Sequence, residues 1–154
     1  MPNFLEQLVA EWYEYRGYFV RRNVLVGKRA QGGHEGELDV VAFHPTANHL
    51  VHIEPSMDTN SWPVREERFL RKFRVGRAHI AGLFEGFHLP KPEQSAVLVY
   101  GSMDRSMIGG ARIIWIDEFM KEIRSGIPAD ARKTLIPEQY VILRSLQFAR
   151  TYWK

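Results

Sequence analysis

The chain has 154 residues, 45% hydrophobic and 25% charged, with a formal net charge of +3 and no cysteine. That is enough chain for one domain with a core of its own. Without cysteine there are no disulfides, no thiolate-held zinc and no thiol nucleophile. No apolar run is long enough to span a bilayer and no secretory leader is recognisable, so a cytoplasmic protein is expected. So small a net charge says little about partners until the distribution of charge is known.

Residues 3–16 read as a helix. Asn3 is its N-cap, Glu6 completes a capping-box pattern, and Leu5, Leu8, Trp12 and Tyr15 recur at helical spacing. Gly17 ends it. Tyr18 to Val26, rich in aromatic and β-branched residues, reads as a strand. Residues 27–36 form a glycine-rich basic connection, followed by two strands joined by a turn over His44–Asn48. After a polar loop at 57–62, Ser61 and Pro63 start a long helix with Phe69, Phe73, Ile80 and Leu83 as its apolar stripe. Gly76 lies between them and allows close packing. Residues 65–77 carry six basic and two acidic residues, a local net of +4. Ala96 to Tyr100 and Arg112 to Ile116 are continuous apolar runs typical of buried strands, separated by a loop over 101–110. Asp117 is expected to cap a helix through Arg124. A terminal helix is expected over 137–152, with Tyr140, Leu143 and Phe148 facing inward. The expected fold is α/β: one domain over 1–154, with a central mixed sheet of about five strands flanked by helices.

The chemistry concentrates between His34 and Ser56. Side chains alternate along a strand, so Glu37 and Asp39 share a face of their strand, and Glu54 shares a face of its own strand with Leu50, His52 and Ser56. A hairpin brings Asp39 and Glu54 together. An unpaired carboxylate is costly to bury, and a site for a hard divalent cation is one reason to place two of them beside apolar runs. His34, His44, His49 and His52 lack a helical ligand spacing and read as turn or surface histidines.

The order helix, three strands, helix, strand, with an acid opening the second strand and an acid-x-polar triplet ending the third, resembles the PD-(D/E)XK nuclease superfamily. The likeness covers roughly residues 3–100 and implies a restriction-endonuclease-like αβββαβ core. It implies that Asp39 and Glu54 hold Mg²⁺, with Mn²⁺ as a possible substitute, and that Glu6 binds a second ion or orients a metal-bound water. The chain departs from the family at Ser56, where lysine is usual. Ser56 then hydrogen-bonds a metal water or a phosphate oxygen. The missing positive charge is expected from the following helix, from Lys72 or, as runner-up, Arg68. Implied phosphate contacts are Arg65, Arg68, Arg71, Arg74 and Arg77 on that helix and Lys28 and Arg29 on the basic connection. The implied activity is Mg²⁺-dependent hydrolysis of DNA by an endonuclease, with a homodimer as the simplest way to cut both strands. The rival expectation, prompted by Ser56, is a nuclease-fold protein that binds nucleic acid or a partner without cutting. A third is a hydrolase of small anionic molecules.

Overall fold

The computed structural model describes residues 3–153. Its elements are α1 (Phe4–Tyr15), β1 (Phe19–Lys28), β2 (His34–His44), β3 (His49–Ser56), α2 (Trp62–His79), a 3₁₀ turn (Ile80–Leu83), β4 (Glu93–Leu98), β5 (Met107–Ile108), β6 (Ala111–Trp115), α3 (Ile116–Gly126) and α4 (Val141–Tyr152). The strands form one open mixed sheet in the order β1-β2-β3-β4-β6-β5. β1, β2 and β3 are an antiparallel meander, β4 lies parallel to β3 and to β6, and β5 closes the edge antiparallel to β6. The α/β class with helices on both faces is as expected, with one strand more. That strand, β5, has two residues inside the stretch read as a loop, too few to show an alternation.

Alternation sorts the meander between two cores. Val40, Ala42, Val51 and Ile53 pack with Leu5, Leu8, Val9 and Trp12 of α1 and with Phe119, Ile123 and Leu143 of α3 and α4. On the other face, Val41, Phe43 and Leu50 pack with Val75 of α2, while Phe69 and Phe73 of α2 cover Ala96, Leu98 and Ile113. The parallel step from β3 to β4 needs a long crossover, and α2 supplies it.

Several ends differ from expectation. The terminal helix starts at Val141, and Phe148 is 42% exposed, so its face is turned away from the core. Trp115 stands at the N-cap of α3, which places Asp117 within the first turn, where its charge still favours the helix dipole. Among the described residues, no helix is long and apolar enough to cross a membrane.

Candidate active site on the α2 face

The β2–β3 register pairs Val40 with Ile53 and Val41 with His52, so Asp39 and Glu54 stand opposite each other where the meander meets α2. Both are buried, Glu54 to 1% exposure. Lys72, from the middle of α2, reaches down between them. Its Nζ donates to Asp39 Oδ2 at 3.0 Å and to Glu54 Oε2 at 2.5 Å. Lys72, the residue from which the sequence reading expects the missing positive charge, thus touches both acids, whereas Arg68, the runner-up, pairs with Asp58.

The second oxygen of Glu54 is held differently. Oε1 accepts the Asp39 backbone N–H at 3.2 Å and hydrogen-bonds His52 Nε2 at 2.7 Å. His52, expected at a turn or on the surface, is fully buried beneath α2. Its other ring nitrogen, Nδ1, lies 3.0 Å from Gln94 Nε2 of β4, which also donates to the Phe73 carbonyl at 2.8 Å. Gln94 Oε1 accepts from Arg77 at 2.9 Å. The carbonyl and the guanidinium fix which end of the amide faces the ring. The amide then donates to Nδ1, so Nε2 carries the imidazole proton and donates to Glu54. The helix can lie this close because position 76 is glycine: a Cβ there would meet His52 Nδ1 at 2.4 Å.

The electrostatics follow from burial and from crowding of like charges. Burial pushes the Asp39 carboxyl up to about 7, reinforced by the neighbouring Glu54 and opposed by Lys72. Burial pulls the Lys72 ammonium down, but the two carboxyl groups more than offset this and its pKa is raised. Burial, with Lys72 nearby, holds the His52 imidazole neutral, down to about 3.

Asp39 and Lys72 give the cluster an opening. A cavity of about 340 Å³ is lined by Gly36, Glu37, Asp39, Arg71, Lys72 and Val75. A second, of about 450 Å³, shares Arg71 and Val75 and adds Arg29, Glu35, Arg74 and Ala78. Together they form a groove that runs from Asp39 past three arginines. A larger apolar cavity of about 490 Å³ between α3 and α4 has no acid, imidazole or hydroxyl in its lining and offers no comparable chemistry.

Other expected site residues lie elsewhere. The Glu6 carboxylate is occupied by the Asn3 backbone and side chain at 3.2 and 2.9 Å and by Asn23 Nδ2 at 3.0 Å. It hydrogen-bonds neither Asp39, Glu54 nor Lys72. Ser56 Oγ accepts the Asp58 N–H at 3.1 Å and shapes the loop after β3. Arg65 is a correction: only 2% exposed, it donates to the Tyr100 carbonyl at 2.8 Å and stacks on Trp62, so no phosphate reaches it. Its position, seven residues before Lys72, turns it inward with the apolar stripe. Arg68 pairs with Asp58 at 2.5 Å. Lys28, Arg29 and Arg71 are exposed as expected, and Arg29 and Arg71 line the groove. His52 and Gln94 were missed as site residues. The shared face of His52 and Glu54 was a usable signal; for Gln94 there was none.

Scanned against models of protein families, the chain gives no match, and no curated protein matches it. Among solved structures it is similar to one described as "Crystal Structure of Protein of Unknown Function AF1548", at 14% identity and a TM-score of 0.48, over 94% of this chain and 95% of that one.

Proposed function

We propose that the protein is a Mg²⁺-dependent DNA phosphodiesterase of the PD-(D/E)XK type whose catalytic lysine has moved to α2. The observation that carries this reading is the convergence of Asp39 Oδ2 and Glu54 Oε2 on one cation, the Lys72 ammonium, at 3.0 and 2.5 Å. Among the described residues no group of three or more histidine or acidic side chains could enclose a metal ion. Asp39 at the cavity wall, with the buried Glu54 carboxylate beside it, nevertheless suits Mg²⁺, which keeps several of its waters. Asp39 and Glu54 would hold the ion. Bound there, Mg²⁺ supplies charge stabilisation and a more acidic water.

The chain's own groups do the rest. Lys72 stabilises charge that develops on the phosphate oxygens. Arg71, Arg74 and Arg29 line the groove leading away from the acids, and their guanidinium groups suit successive phosphates of a strand. These contacts position a backbone and read no sequence. Cutting both strands calls for a symmetric dimer, which sedimentation of the protein on DNA would reveal.

The test is nicking of supercoiled plasmid in Mg²⁺ or Mn²⁺. Wild type cleaves, and Asp39→Ala and Glu54→Ala each lower the rate at least ~100-fold, the scale of losing one preorganised charge partner. Cleavage that survives both substitutions, or a wild type inert with either ion, sinks the proposal. Salt-sensitive DNA binding by an inert wild type would instead support the non-catalytic reading, which the serine at position 56 favours.

A further inference from the structure

We infer that His52 is a positioning residue, whose Nε2–H, locked in place by Gln94, decides which oxygen of Glu54 faces the cation position. The inference rests on the cation-site reading proposed above. A glutamate carboxylate turns readily about its last torsion, so nothing intrinsic to Glu54 distinguishes its two oxygens. The surroundings do. Oε1 is held at 2.7 Å by His52 and at 3.2 Å by the Asp39 N–H, which leaves Oε2 to meet Lys72 at 2.5 Å.

The lock extends one step further back. Gln94 can donate to His52 Nδ1 only while its second N–H is held by the Phe73 carbonyl and its oxygen by Arg77. Every member of the chain Arg77–Gln94–His52–Glu54 therefore has a partner, as a buried polar network requires. A neutral N–H suits this task better than a cation. It orients the carboxylate without cancelling the charge that is to attract a metal. The ring lies edge to face against Phe73, with centroids 5.4 Å apart, and Gly76 of α2 sits directly over it.

Two measurements on the full chain test this. Nitrogen-15 NMR of the wild-type imidazoles is expected to show one ring protonated at Nε2, unprotonated at Nδ1, with its proton slow to exchange. Gln94→Glu is expected to change that signature, because a carboxylate at 94 can only accept and draws a proton to Nδ1. The second measurement is Mn²⁺ binding alone, without DNA. His52→Leu is expected to weaken it roughly 10- to 100-fold, the scale typical of groups that orient a metal ligand. His52→Gln, whose amide N–H can replace Nε2–H, is expected to recover part of the loss.

A wild-type His52 ring protonated at Nδ1 overturns the inference, and needs no variant to fold. So does His52→Leu binding Mn²⁺ as tightly as wild type. Wild type that fails to bind Mn²⁺ at all, with the Nε2–H signature present, overturns the cation site itself and the role of His52 with it.

Discussion

Four acids in this domain are buried to a similar degree, yet they form two unlike pairs. Glu6 and Glu11 on α1 are 7% and 3% exposed, and Asp39 and Glu54 on the sheet are 7% and 1% exposed. On α1 the donors are neutral and fixed. Glu6 closes the capping box with Asn3, and Glu11 accepts the Ile142 and Leu143 N–H groups at 2.9 and 3.3 Å, capping α4 from a distance. These acids join elements together. On the sheet the shared donor is a long, charged amine at the wall of a groove. Burial alone does not tell the two pairs apart; the kind of donor does.

The sharpest way to break this contrast is Lys72→Met. It leaves two buried carboxyl groups without their cation and is expected to cost about 3–5 kcal/mol at pH 7. Saturating Mg²⁺ should restore part of that, and cleavage should fall at least ~100-fold. Urea unfolding with and without Mg²⁺ reads the first effect. A Lys72→Met protein as stable as wild type would make the lysine dispensable.

Titration comes next in size. Asp39, raised from 3.8 to about 7, contributes stability that is complete below 3.8 and lost as pH rises to about 7. His52, lowered from 6.5 to about 3, contributes stability that is complete above 6.5 and lost as pH falls toward 3. Between about pH 4 and 6.5 the two slopes oppose each other, each at most about 1.4 kcal/mol per pH unit. Asp39→Asn should therefore make stability climb with pH across that window, and His52→Gln should make it fall. Denaturant midpoints at several pH values check both signs.

Glu11→Ala should cost about 1–3 kcal/mol by stripping α4 of its cap. At a temperature where the variant is folded, plasmid cleavage should be unaltered, the reverse of what Lys72→Met does. Smallest in energy is the pair Arg71→Ala and Arg74→Ala. Each should weaken DNA binding modestly and lower the salt dependence of affinity by about one counterion, visible in binding titrations across salt concentrations.

The sequence was most legible where one local rule sufficed. Strand alternation and the hairpin placed Asp39 and Glu54 together, and the resemblance to a nuclease family, with serine at 56 where lysine is usual, made Lys72 a candidate. Period alone could not say which basic residue turned inward. Arg65 lies seven residues before Lys72 and was read as a phosphate contact, but it is packed under Trp62. Glu6 carried two readings at once, cap and ligand, and its partners show the cap. The polar network behind Glu54 was out of reach, because His52 and Gln94 meet only after the crossover through α2 is complete. No spacing in the chain announces a contact set by the closeness of a helix to a sheet.

That closeness traces to the missing methyl at position 76. A lysine two residues after Glu54 would ride on the sheet and tolerate a helix at almost any standoff. A lysine carried by α2 has a fixed tether, so every tenth of an ångström by which the helix lifts is subtracted from its reach. Glycine at 76 and lysine at 72 are therefore coupled through the standoff of α2 from the sheet. Gly76→Ala would wedge the helix outward and withdraw the ammonium from both acids without altering one charge.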